Sequence, residues 1–234
     1  MDLKIRDVAE LLNVSETTIR RWLAEGKIPA YKLNHQYRFS KIEIENWVMS
    51  CKTGEEREGR VELSDEPEQE NVGTHKFSLF RAIHKGLVLR DIDGDTKEEV
   101  IQNAMKLIAK ELKADAEVVT ELLLDRERLM PTSLNHGIAV PHTRDFHFKE
   151  SYDVVAVVSP KKPIEYGALD GEKVHTLFFL FACGDKRHLH LLAKLAHMAS
   201  DAKNLEYFKT KPLKPDLLKY VKSWESNIKE LANH

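Results

Sequence analysis

Apolar residues in the first fifty positions recur at helical spacing in two short runs. Val8, Leu11 and Leu12 form one stripe and Ile19, Trp22 and Leu23 a second, separated by Asn13-Val14-Ser15, which predicts two helices joined by a tight turn. Ser15 suits an N-cap and Gly26 a C-terminal stop, so the second helix is expected from Glu16 to about Glu25. Ile28–Leu33 and Tyr37–Phe39 read as a hairpin with Asn34-His35-Gln36 at its tip. A third helix is predicted from Ser40, where Glu43 completes a capping box and Ile44, Trp47 and Val48 face inward.

The pattern stops between Cys51 and about Lys76, a stretch rich in Glu with almost no aliphatic side chains. Such composition cannot bury enough apolar surface to fold, and it predicts an acidic flexible linker between residues 1–50 and 77–234. A short helix is expected from Phe77 to near Gly86, then a strand over Leu87–Ile92. Thr96 and Glu99 cap a helix predicted to bury Val100, Ala104, Leu107, Ile108 and Leu112, and a second helix follows from Asp115 to about Arg126. Ile138–Val140, Val154–Val158 and Thr176–Ala182 are strand candidates, and Arg187–Ala199, Leu205–Thr210 and Asp216–Leu231 read as helices. The second unit is therefore an α/β domain with a largely buried sheet covered by helices.

Charge and cysteine content narrow the function. A formal charge of -2 over 234 residues excludes a protein that grips nucleic acid by bulk charge and restricts DNA contact to a local basic face. Cys51 and Cys183 are far apart and form no CxxC pair, which argues against a disulfide scaffold or structural zinc. Asp2, Lys4, Arg6 and Asp7 occupy the place of a signal peptide's apolar core, and no run reaches the roughly 20 apolar residues of a membrane span. A soluble, cytoplasmic protein is expected.

On the second helix Thr17, Arg20, Arg21 and Ala24 fall at i, i+3, i+4 and i+7, giving a basic face small enough to enter a DNA groove. Lys32, Asn34, His35, Gln36, Tyr37 and Arg38 would form a wing on the adjacent backbone, with Glu43 and Glu45 of the third helix turned away. Paired arginines alone are commonly just a solvated face. Here, however, VAELLNVSxxTIRRWLxxGKIPA and YRFxxxEIxxW frame the segment, which resembles the excisionase/MerR-like winged helix-turn-helix family over nearly its whole length. That resemblance implies that Thr17, Thr18, Arg20 and Arg21 read double-stranded DNA, supported by Lys32, Tyr37 and Arg38. So small a module buries about 600–1,000 Å² on DNA, so a homodimer or a helper protein is expected to supply specificity.

The run Gly137-Ile138-Ala139-Val140-Pro141-His142 ends an apolar strand on one imidazole. A histidine near its unperturbed pKa of about 6.5 keeps one ring nitrogen unprotonated and able to attack phosphorus. It then needs a cation, an orienting partner and backbone donors for the phosphoryl oxygens. His188, in the first turn of the helix predicted from Asp185 and on the face of Leu191, Leu192 and Leu195, points inward beside N–H groups that favour an anion. Arg126 offers a planar fork as clamp. Each has an ordinary alternative, as a loop residue or a helix cap. Cys183, His188 and His190 invite a metal reading, but i and i+2 histidines diverge on a helix and no HExxH is present; no metal or cofactor is expected. A hydrolase triad would lack its GxSxG elbow.

LLLDRERLMPTSLNHGIAVPHTR and PIEYGALDGEKVHTLFFLFACGDKRHLHLLAKLA carry a second resemblance. From about Leu87 to Leu231 the chain is similar to the fructose/mannitol/nitrogen-regulatory type of enzyme IIA domain of the phosphoenolpyruvate-dependent phosphotransferase system. The resemblance implies a mixed β-sheet flanked by helices, His142 as phosphorylated residue, His188 as second imidazole, Arg126 as oxyanion clamp, and Thr132 at the family's threonine before the glycine-rich turn. The turn Met130–His136 is poorer in glycine than the family's usual one. A histidine phosphocarrier protein is the implied phosphoryl donor. Joined to a DNA-binding module, the domain is expected to be a nitrogen-regulatory-type protein acting on transcription or on a regulatory target protein. The alternative is a sugar-specific component passing phosphate to a IIB domain; a regulator whose IIA domain no longer turns over ranks third.

Overall fold

The computed structural model describes residues 2–12, 14–33, 36–50, 77–134, 136–143 and 152–231. The expected acidic linker and the hairpin-tip residues Asn34 and His35 lie outside the described residues. The N-terminal unit runs β1 (Asp2–Leu3), α1 (Ile5–Leu12), α2 (Glu16–Ala24), β2 (Tyr31–Leu33), β3 (Gln36–Ser40) and α3 (Lys41–Ser50). Ser15 caps α2, its Oγ accepting from Thr18 N at 3.1 Å, and Gly26 takes φ +65° beyond its end. β2 and β3 form the predicted antiparallel hairpin. β1 adds a strand on the other side of β3; two residues are too few to show a period in the sequence. Val8, Ile19, Phe39 and Ile44 are fully buried between these elements, each apolar side chain contributing about 1.5–3 kcal/mol.

The C-terminal unit comprises α4 (Ser78–Lys85), β4 (Val88–Ile92), α5 (Lys97–Leu112), α6 (Ala116–Leu129), β5 (Ile138–Ala139), β6 (Val154–Pro160), β7 (Thr176–Phe181), α7 (Asp185–Ala199), α8 (Ala202–Lys209) and α9 (Lys214–Leu231). Its sheet has the order β4-β6-β7-β5, with β4 parallel to β6, β6 antiparallel to β7 and β5 parallel to β7. This is the mixed sheet flanked by helices that the resemblance implies. Alternation along β6 and β7 divides the core. Val154, Ala156, Val158, Leu177, Phe179 and Phe181 join the layer that includes α5 and α6, while Val155, Val157, Phe178 and Leu180 join the opposite layer with α4, α7 and α9. Gly86 allows α4 to lie against β6: a Cβ there would stand 2.1 Å from the Val155 carbonyl oxygen.

Two expectations are corrected. Leu107 is exposed, because the buried stripe of α5 runs through Val100, Ile101, Ala104, Met105, Ile108, Ala109 and Leu112, and position 107 falls outside it. α6 continues past Arg126 to Leu129, there being no glycine or proline to end it earlier.

The two units share one apolar cluster. Val8, Leu11, Leu12, Ile44 and Val48 belong to the same contiguous core as Leu189, Leu192, Leu195 and Ala196 of α7, and α1 and α3 both pack on that helix. Lys41 at the start of α3 pairs with Asp185 at the start of α7 at 2.5 Å.

Candidate functional site

The Gly137–His142 run is fixed by backbone geometry before any side chain acts. Gly137 turns at φ +78°, a region that favours glycine. Ile138 and Ala139 then pair in parallel with Thr176 and Leu177, and Pro141 O accepts from Leu180 N at 3.0 Å. His142 consequently stands beside β7 at the carboxyl end of β5, the end at which open α/β sheets bind ligands. β7 leads into α7, which brings His188 to the same place. The two rings meet edge to face with centroids 5.1 Å apart, and both side chains are buried.

His142 Nδ1 lies 2.7 Å from Val140 O. A carbonyl only accepts, so Nδ1 carries the proton and, in the neutral ring, the lone pair belongs to Nε2. Gly184 at the N-cap of α7 has no side-chain oxygen to offer the first-turn N–H groups beside His188, which leaves the positive end of the helix toward the site. The loop before α7 is held by Asp153, which accepts from Cys183 N at 3.1 Å and pairs with Arg187 Nε at 2.9 Å. Burial, then the Asp153 charge, push the Cys183 thiol up, so it is a poor thiolate. His190 turns to Ser78 Oγ at 3.0 Å while His188 faces His142, so the expected divergence of these two histidines is observed.

Thr132 and Arg126 occupy the connection that precedes β5. Thr132 is fully buried, and its carbonyl accepts from Val140 N at 2.9 Å, two residues before His142. Its amide donates to Glu127 Oε2 at 3.0 Å and its hydroxyl to Glu127 Oε1. No periodicity or motif marks Glu127 in the sequence; burial raises its pKa, and the Thr132 hydrogen bonds oppose that shift. Tyr166, buried beside it, has its phenol pushed well up by burial and by the Glu127 charge. Arg126 is half-buried in the last turn of α6 and donates from Nη1 to Met130 O at 2.9 Å. Its guanidinium thus fastens the turn that leads to Thr132.

The structure adds Glu45 of α3 to this group. It is buried, with Oε1 3.7 Å from His188 Nε2. A carboxylate oxygen of Glu45 and ring nitrogens of His142 and His188 lie within 4.8 Å of one another, a donor set that could hold a cation or a proton. The signal was available: Glu45 follows Ile44 and lies three residues before Val48, on the apolar stripe of α3.

The α2 face presents Thr17, Arg20 and Arg21 as exposed side chains, with Arg20 paired to Glu16 at 3.2 Å. Thr18 is half-buried, its Oγ1 3.0 Å from Ser15 Oγ, within the cap of α2. On the hairpin Lys32 Nζ lies 5.2 Å from the Tyr37 ring centroid, and Arg38 donates to Tyr37 O and Gln36 Oε1.

Comparison with known proteins follows this division. The family model "Phosphoenolpyruvate-dependent sugar phosphotransferase system, EIIA 2" matches residues 81–233, and a helix-turn-helix domain model matches residues 3–52. A nitrogen regulatory protein of Pseudomonas aeruginosa is 32% identical over 146 residues, covering 61% of this chain and 94% of the relative. The crystal structure of nitrogen regulatory protein IIA-Ntr from Neisseria meningitidis superposes with a TM-score of 0.51 at 28% identity, over 58% of this chain and 93% of that one. The IIA mannitol structure from Escherichia coli shares the fold, with a TM-score of 0.50 at 22% identity over 59% of this chain and 96% of that one. Among the described residues no helix is long and apolar enough to cross a membrane. The chain belongs to the phosphoenolpyruvate-dependent sugar phosphotransferase system EIIA 2 family and carries a helix-turn-helix domain ahead of that region.

Proposed function

We propose that this protein is a nitrogen-regulatory-type IIA protein of the cytoplasm that accepts a phosphoryl group on His142 from a histidine phosphocarrier and regulates transcription through its N-terminal module. The observation that carries this reading is the His142 tautomer. With Nδ1–H committed to Val140 O, Nε2 attacks phosphorus without first losing a proton. The new N–P bond forms at Nε2 as the donor histidine's N–P bond breaks, and the electron pair returns to the donor ring. His188 and the α7 N-terminus stabilise charge on the phosphoryl oxygens. Arg126 acts as the clamp on those oxygens, and Thr132, bonded to Glu127, fixes the backbone that carries Val140 and His142.

Residues 1–50 and 77–234 act as two units joined by the acidic stretch 51–76. Thr17, Arg20 and Arg21 enter a DNA groove, Lys32, Tyr37 and Arg38 contact the adjacent backbone, and Thr18 supports the recognition helix from its cap. Pairing of two copies supplies specificity.

Incubation of purified protein with phosphoenolpyruvate, the upstream enzyme and the phosphocarrier tests the reading. The label is expected on wild type and absent from His142→Ala; retention of label in that variant overturns the site. Rapid onward transfer to a IIB domain, with no salt-sensitive duplex binding by the full chain, would replace regulation with sugar transport.

A further inference from the structure

The contact between the two units falls on the proposed phosphorylation site. α1 and α3 of the N-terminal module pack along α7, and Lys41 is paired with Asp185 at that helix's first residue. Glu45, from the same face of α3, places its carboxylate against His188 and within 4.8 Å of both imidazoles. A donor histidine must approach His142 in line across a few ångströms, yet His142 is 1% exposed and His188 is 7% exposed with the module in this position. The α2 face remains outward, since Thr17, Arg20 and Arg21 are exposed.

We propose that the helix-turn-helix module, docked through α1 and α3 on α7, occupies the face on which the phosphocarrier must dock, with the Glu45 carboxylate filling the space of the phosphoryl oxygens. The inference rests on His142 being the phosphoryl acceptor. Phosphorylation and docking of the module are then mutually exclusive. A phosphoryl group carries about -1.5 to -2 charge at neutral pH, and in this buried space it would face the Glu45 carboxylate with little solvent screening. Opening therefore exposes His142 to the donor, and the N–P bond, once formed, keeps the module off. By linkage, whatever holds the module closed disfavours phosphorylation at equilibrium to the extent that phosphorylation favours the open form, and the covered His142 makes the closed form slow to react. Because docking covers α1 and α3 while leaving the α2 face outward, the phosphoryl group changes whether that face is held rigidly against the IIA domain.

Lys41→Glu sets two like charges together at the α3–α7 contact and is the primary test. The full chain carrying it should take label from the phosphocarrier about fivefold faster than wild type, the scale of one lost surface ion pair plus repulsion. Adding Asp185→Lys should restore the slower rate. Glu45→Gln, close to isosteric, should also be labelled faster, and it should weaken the opening that phosphorylation causes. Small-angle scattering of the full chain should show a larger radius of gyration after phosphorylation. Equal labelling rates in all four proteins, or an unchanged scattering profile after full phosphorylation, overturns the occlusion. Label that persists in His142→Ala defeats the acceptor assignment itself and is read separately from these outcomes.

Discussion

The imidazole of His142 is oriented by a carbonyl only two residues behind it, Val140 O, at 2.7 Å from Nδ1. Because Val140 N is itself bonded to Thr132 O at 2.9 Å, the acceptor cannot drift without breaking the connection between α6 and β5. The tautomer of this proposed nucleophile is therefore set by main chain, which no side-chain substitution nearby removes directly. Nitrogen-15 NMR of the unphosphorylated protein should find the neutral His142 ring protonated at Nδ1, and the phosphorylated ring should carry phosphorus on Nε2. A neutral ring protonated on Nε2 would remove the basis of the proposed attack.

His188 faces that ring from α7, with centroids 5.1 Å apart. If it stabilises phosphoryl oxygens as proposed, His188→Ala should slow phosphoryl transfer by about 10²–10³, the scale of one lost preorganised donor. The fold should survive, since the neighbouring Leu189, Leu191 and Leu192 anchor α7 independently. Rapid-quench labelling with the phosphocarrier measures the rate. A change below threefold would reduce His188 to a packing role.

Much of this arrangement is legible in the chain, and the missing parts have a common cause. Helix existence and type follow from apolar spacing, caps such as Ser15, Thr96 and Asp115 are visible as residue types, and the His142 run announces itself as a strand ending on an imidazole. What periodicity cannot reveal is which buried polar groups meet across the fold. Glu127 and Thr132 are close in sequence, but their bond depends on how the end of α6 turns. Glu45 and His188 are separated by most of the chain, and only the packing of α3 on α7 brings them together. A carboxylate on an apolar stripe is a usable warning of such a partner.

Glu127 makes stability depend on pH. Burial raises its pKa in the folded protein above that of the unfolded chain, so the folded state binds the proton more tightly. The resulting stabilisation is fully present below the unfolded value of about 4.3 and is lost as pH rises through the folded value. Glu127→Gln should flatten that part of the profile, measured as denaturant midpoints across the acidic to neutral range. An unchanged slope would mean that other groups dominate it.

Glu225 replaces the side-chain cap that α4 lacks. Phe77 at the N-cap contributes no side-chain hydrogen bond, whereas Glu225 from α9 accepts from Leu79 N at 3.1 Å and Phe80 N at 2.9 Å. Its Oε1 also pairs with Lys194 Nζ at 2.6 Å, which in turn donates to Ser78 Oγ at 2.8 Å. Removing one member of a buried, hydrogen-bonded ion pair costs about 3–5 kcal/mol; here Glu225 is buried and Lys194 part-buried, so the low end applies, with two α4 amides also losing their acceptor. Glu225→Ala should therefore lower the unfolding free energy of the full chain by about 3 kcal/mol in denaturant titrations. Glu225→Gln should lose less, as its amide oxygen can still accept from one of the two α4 amides.

Arg20 and Arg21 should affect DNA affinity through charge, and Thr18 through structure. The two arginines are exposed on α2, and Arg20 spends part of its charge on Glu16. If each meets a phosphate, Arg21→Ala should weaken duplex binding and reduce the slope of log affinity against log salt by about 0.9. Glu16→Gln should strengthen binding by releasing Arg20. Thr18 stands 3.0 Å from Ser15 Oγ inside the helix cap, so Thr18→Ala should lower stability, by up to about 1 kcal/mol, and leave the salt slope unchanged. Fluorescence anisotropy at several salt concentrations separates these outcomes. A salt slope unaltered by Arg21→Ala would take the α2 face out of the DNA interface.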